Sequence, residues 1–104
     1  MTDMVIVAMP RQYTEENIRN EPNAPGLYEL LDESEDTIYI GAGTMRDELL
    51  ERLPSKSDHI MGASYYRIET ANTVEQAVWR QREELNMYME MYGRLPAFNQ
   101  KISA

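Results

Sequence analysis

Apolar and polar positions along this chain change period several times, and each change predicts an element. Pro25-Gly26-Leu27-Tyr28-Glu29-Leu30-Leu31 and Thr37-Ile38-Tyr39-Ile40-Gly41-Ala42 are short runs, rich in aromatic and aliphatic residues, that read as β-strands. The polar turn Asp32-Glu33-Ser34-Glu35-Asp36 lies between them, so the pair is expected to be antiparallel. Residues 63–70 read as a third strand. Side chains alternate along a strand, so if Tyr66 and Ile68 face the core, Tyr65, Arg67 and Glu69 face out.

Helical signals fill the gaps. Residues 13–19 read as one or two turns, with Thr14 as N-cap and acidic residues in the first turn. The stretch from Glu21 to Gly26, with Pro22 and Pro25, is a rigid approach to the first strand. Thr44 is placed to cap a helix running to about Leu53, which Pro54 stops. Residues 54–62 then form a polar loop carrying His59. Thr73 caps the longest helix, expected to run to about Tyr92 and to end at Gly93. At about 100° per residue, Val74, Ala77, Val78, Leu85, Tyr88, Met89 and Tyr92 share one arc, with Gln81 near its centre.

The resulting order is β-β-α-β-α, an α+β fold with a three-stranded antiparallel sheet flanked by helices. Residues 1–12 read as an N-terminal arm in which Val5-Ile6-Val7 suits a short strand or a packed segment, and residues 13–104 as one domain. A chain of 104 residues supports a single core.

Charge changes this picture most. The formal net charge is −8, and the ten basic residues are scattered with no stripe. Sequence-independent nucleic-acid binding draws its affinity from Lys and Arg on phosphates, so this composition disfavours nucleic acid as a partner. A local basic cleft is still compatible with it. The absence of cysteine excludes disulfides and thiolate metal sites, and a single histidine excludes a histidine-rich zinc site. The apolar run at positions 4–9 is short and follows an acidic residue, unlike a signal sequence, and no segment approaches membrane-spanning length. The expectation is a cytoplasmic protein with no membrane partner.

The two strands carry Gly26-Leu27-Tyr28 and Tyr39-Ile40-Gly41, and Leu95-Pro96-Ala97-Phe98-Asn99 follows near the far end. Together these resemble the signature of the GIY-YIG nuclease superfamily, over about Tyr13 to Asn99. The resemblance implies the β-β-α-β-α fold and a pocket in which Tyr28 and Tyr39 orient or deprotonate an attacking water. Gly41 matches the end of the second motif, where backbone must approach closely or turn. The family also calls for an arginine on the first helix after the second motif, to stabilise charge on the phosphate. Two registers fit. In Met45-Arg46-Asp47-Glu48-Leu49, which keeps nearly the family spacing and is preferred, Glu48 stands where arginine belongs. Leu49-Leu50-Glu51-Arg52-Leu53 restores the arginine at the cost of about one inserted helical turn. Arg46 and Arg52 are therefore both candidates.

The family's metal-binding glutamate corresponds by resemblance to Gln81, whose neutral amide is a poor anchor for Mg²⁺. Glu84, one turn on, is the alternative metal ligand. Asn99 resembles the family's terminal asparagine, either capping the pocket or tying the tail to the sheet. His59 reads as an exposed loop residue. Trp79 points away from the apolar arc with Met87 and Met91 on its flank, which suits either cover by the N-terminal arm or a protein interface.

The expectation is a catalytically degenerate GIY-YIG-like domain, working as a non-catalytic accessory or interaction module without a cofactor. Its partner is another protein or a second copy. The competing class is a Mg²⁺- or Mn²⁺-dependent DNA endonuclease using Tyr28, Tyr39, Arg46 or Arg52, and Glu84.

Overall fold

The computed structural model describes residues 8–99, in the order β1 (Arg11–Gln12), α1 (Glu15–Arg19), β2 (Pro25–Leu31), β3 (Thr37–Thr44), α2 (Met45–Glu51), β4 (Tyr65–Thr70) and α3 (Val74–Tyr92). The α+β class is as expected, but the antiparallel sheet has four strands, ordered β1-β4-β2-β3. The fourth is β1, drawn from the expected arm, where Arg11 and Gln12 pair with Tyr66 and Tyr65. Two polar residues carry no alternation to read, and they form a strand because the outer edge of β4 offers unpaired backbone groups. Val5-Ile6-Val7 lies outside the described residues.

Local chemistry sets most boundaries. In the β2–β3 turn, the Asp32 carboxylate accepts from the amides of Ser34 and Asp36, both at 2.9 Å, and Glu35 takes a left-handed φ of 63°. The hydroxyls of Thr14 and Thr73 accept from Asn17 and Gln76 amides at 3.1 Å, so both act as the N-caps the sequence predicts. Gly93 ends α3 at φ 73°. Thr44 departs from expectation: it is the last residue of β3 and makes no side-chain cap. The Asn23 side chain serves the first turn of α2 instead, accepting from the Asp47 amide at 3.2 Å. The helix stops at Glu51, ahead of the expected Leu53.

The sheet has two covered faces. Tyr28, Leu30, Tyr39 and Tyr66 point to one side, where Ile18 of α1, Leu49 of α2, and Leu53 and Ile60 beyond it close the main core. Leu27 and Ile40 point to the other, with Ala8, Ala42 and Leu85 of α3 against them. The expected outward face of β4 is therefore not solvent: Arg67 and Glu69 are half-buried on the α3 side. The apolar arc of α3 also needs correction, because Val74, Met89 and Tyr92 are exposed while Ala77 and Glu84 are the buried residues. Among the described residues, no helix is long and apolar enough to cross a membrane.

Candidate functional site

Tyr28 stands on β2 opposite Gly41 of β3, and Tyr39 stands on β3 opposite Leu30, so both tyrosines project from the same face. Their rings lie 5.9 Å apart. Glu48 and Arg52, one helical turn apart at the end of α2, reach over them. Tyr28 donates its hydroxyl to Glu48 Oε1 at 2.9 Å, and Arg52 donates from Nη2 to the Tyr39 hydroxyl at 3.1 Å. Arg52 Nε approaches the Tyr28 hydroxyl at 3.4 Å, and the guanidinium lies 4.9 Å from the Tyr39 ring centre. Glu48 and Arg52 are themselves 3.8 Å apart, and Arg52 Nη1 donates to the Asp58 carbonyl at 3.2 Å.

The cluster is closed. Tyr28 is 0% exposed and Tyr39 4%. Burial pushes both phenols above their ordinary range, with Glu48 adding to the effect and Arg52 opposing it. Both are neutral hydrogen-bonding groups at physiological pH. Tyr13 is held the same way: burial raises it, and its hydroxyl donates to the Leu49 carbonyl at 2.6 Å.

The other residues singled out from sequence lie elsewhere. Arg46 turns away from the tyrosines and reaches the Glu21 carbonyl at 3.4 Å. Gln81 and Glu84 sit on α3, which covers the opposite face of the sheet from Tyr28 and Tyr39. Gln81 donates to the Ile40 carbonyl at 3.0 Å on the outer edge of β3, so its polar head is satisfied within the arc. Glu84 is 8% exposed and accepts from Arg80 at 3.0 Å. Burial raises its carboxyl above the ordinary range, and the Arg80 guanidinium works against that rise. Neither residue joins the tyrosine pair. Asn99 is buried on the β3 edge, accepting from the Ile40 amide and donating to its carbonyl, both at 2.9 Å. His59 is exposed, with its Nδ1 2.8 Å from the Lys56 carbonyl.

Two polar groupings were missed in the sequence. Glu21 is buried and receives the Tyr66 hydroxyl at 2.5 Å, with Arg11 of β1 also donating to it. Beneath α3, Arg80 grips Glu69 through two bonds of 2.6 and 2.8 Å and also pairs with Glu83 and Glu84. Nearby, Arg67 lies 3.1 Å from Glu29, which also receives the Thr37 hydroxyl. Alternation already places Glu29, Arg67 and Glu69 on one face; what it lacked was a helix to cover them.

Trp79 is 68% exposed and lines two shallow grooves. One has Val74, Glu75, Val78 and Arg82 for its other walls. Met87 and Met91 do not share either groove. They line a separate recess of about 160 Å³ with Glu29, Arg67, Tyr88 and Tyr92.

Fold and site together define a small α+β domain whose helices cover both faces of an antiparallel sheet, with a closed tyrosine–arginine–glutamate cluster under one of them. Residues 8–87 match the model of a family described as a domain of unknown function, DUF7508, and the chain belongs to that family. No curated protein and no solved structure matches the chain.

Proposed function

We propose that this domain works as a non-catalytic accessory or protein-interaction module and that its tyrosine–arginine–glutamate cluster is structural; Gln81, on the helix that covers the far side of the sheet from Tyr28 and Tyr39, counts against the expected GIY-YIG nuclease centre. One observation carries the reading: the hydroxyls of Tyr28 and Tyr39 are buried and already bonded to Glu48 and Arg52. A nuclease needs those hydroxyls open to water and its arginine free to meet a phosphate. Here Arg52, the arginine that reaches both tyrosines, has Glu48 beside it at 3.8 Å to offset its charge. A phosphate entering the cluster would meet that carboxylate and have to displace bonds already made.

The residues present do not fit a catalytic Mg²⁺ or Mn²⁺ either. Such an ion takes anionic oxygens, and the one carboxylate bonded to the tyrosine pair is Glu48, already shared between Tyr28 and Arg52. Among the described residues, no group of three or more His, Cys, Asp or Glu is placed to hold a metal. A net charge of −8 favours a protein over nucleic acid as partner, and the exposed Trp79 is the natural anchor for it.

The test is cleavage of plasmid and single-stranded DNA with Mg²⁺ or Mn²⁺. The expected result is no cleavage above a metal-only control. Metal-dependent nicking that disappears in Tyr39→Phe would overturn the proposal and restore the endonuclease reading.

A further inference from the structure

The outer side of α3 carries a groove walled by Val74, Glu75, Val78, Trp79 and Arg82. Glu75, Trp79 and Arg82 are exposed and Val78 is half-buried. At about 100° per residue, Glu75, Val78, Trp79 and Arg82 share one stripe of the helix, turned away from the buried Ala77 and Glu84 on its sheet side. Glu75 and Arg82 stand two turns apart, about 10.5 Å along the axis, with the two apolar side chains between them. Neither makes an ion pair among the described residues. The sheet side of the helix is the opposite case, because Arg80 there is paired with Glu69, Glu83 and Glu84.

The outer stripe is complementary to itself. The midpoint between Val78 and Trp79 is also the midpoint between Glu75 and Arg82. A two-fold axis at that point, perpendicular to the helix, lays a second α3 antiparallel on the first. Each Glu75 then stands opposite the second copy's Arg82. The same operation brings the two Trp79 rings together on one side of the axis and the two Val78 side chains together on the other. Every contact is made twice, as in any isologous pair. The two ion pairs close the ends of an apolar centre, the setting in which a buried aromatic carries most of the binding energy. A partner of one charge sign would leave either Glu75 or Arg82 against its own sign. A second copy satisfies both.

We propose that the partner anchored on Trp79 is a second copy of this chain, docked antiparallel through Glu75, Val78, Trp79 and Arg82. The inference rests on the interaction reading above and names its partner. The overlap from Val74 to Glu83 covers only about 15 Å of helix. The interface therefore falls at the small end of specific contacts, below about 1,200 Å², and the dimer dissociates on dilution. A net charge of −8 on each copy opposes pairing at long range. At about 0.15 M salt, exposed charges more than about 8 Å apart are largely screened. The facing Glu75 and Arg82 then set the register.

Sedimentation velocity over a concentration series at about 0.15 M salt measures the association. Trp79 is the sole tryptophan, so its emission reports on the interface. Four samples of the full chain are compared: wild type, Glu75→Arg, Arg82→Glu, and an equimolar mixture of the two variants. The wild type is expected to pass from monomer to dimer as concentration rises, with Trp79 emission moving to shorter wavelength in step. Each variant alone sets like charges face to face and should weaken the dimer by about tenfold or more. Mixing the variants should restore it, because every arginine then meets a glutamate across the axis. Substitutions that merely weakened the helix would not be rescued by mixing. A wild type that stays monomeric at every concentration overturns the proposal. So does a dimer indifferent to both substitutions, or a mixture that associates no better than its parts. The non-catalytic reading fails on a different result, metal-dependent cleavage of DNA, so the two failures are told apart.

Discussion

A Cβ placed on Gly41 would lie 2.3 Å from Cζ of Tyr28 and 2.4 Å from its hydroxyl oxygen. The Tyr28 ring lies flat across the backbone of the neighbouring strand at the one position that has no side chain. This packing requires glycine for space; its backbone angles are ordinary for a strand. Gly41→Ala must displace the ring or separate the strands, and either disturbs the bonds to Glu48 and Arg52. The expected cost is roughly 1–3 kcal/mol, as for other overpacked cores. Urea unfolding checks it, with the midpoint falling and the slope unchanged.

The buried phenols predict how the protein fails in alkali. Burial raises the ionisation of Tyr13, Tyr28, Tyr39 and Tyr66 above the ordinary value of 10.0. In the unfolded chain these phenols release their protons near that value, while in the folded chain they keep them. Above it the folded state binds more protons, so stability present below pH 10.0 is lost as pH rises. Phenolate absorbance and far-UV circular dichroism should therefore change together for this group. Ionisation of all seven tyrosines with the fold intact would contradict the closed cluster.

Much of this fold is legible in the sequence because its signals are local. Thr14, Thr73, Gly93 and the Asp32–Asp36 turn each act through neighbours a few residues away. β1 was not legible, because pairing of Arg11 and Gln12 depends on an edge supplied by β4, more than fifty residues on. The site divides the same way. Strand alternation puts Tyr28 and Tyr39 on one face. It cannot choose between Arg46 and Arg52, which depends on how α2 turns as it leaves β3. Periodicity put Gln81 at the centre of the arc on α3 but carries no information on which face of the sheet that helix covers.

Asn99 ties the C-terminal segment to the edge of the sheet. Its side chain satisfies both backbone groups of Ile40 in a buried setting. Asn99→Ala removes both bonds and leaves the Ile40 amide without that acceptor, while Gln81 still serves the carbonyl. A buried donor stripped of its partner costs about 1–3 kcal/mol. Thermal unfolding should register the loss, and exchange at the Ile40 amide should accelerate by more than at Tyr28 in the middle of β2. Asn99→Asp is expected to be worse than Asn99→Ala, because it sets a carboxylate oxygen against the Ile40 carbonyl.

Arg80 gathers three carboxylates on the α3 face, and its loss should depend on pH in a defined direction. It holds Glu69, Glu83 and Glu84, and these bonds raise its own proton affinity, Glu69 first. In the wild type, burial raises the Glu84 carboxyl above its ordinary 4.5, only partly opposed by Arg80. The folded state therefore binds this proton more tightly than the unfolded one. The contribution from Glu84 is present in full below pH 4.5 and declines as pH rises through the folded value. Arg80→Met removes the opposing cation, so the folded value rises further and the decline becomes deeper. Breaking a fully buried pair costs about 3–5 kcal/mol; with Glu69 and Arg80 partly exposed, about 2 kcal/mol at neutral pH is the expectation. As pH falls, Glu84 becomes protonated in both proteins, and the gap between wild type and Arg80→Met should narrow. Urea midpoints for both proteins across this range decide the matter, and a gap that stays constant with pH would show that Arg80 acts through packing of its stem and not through charge.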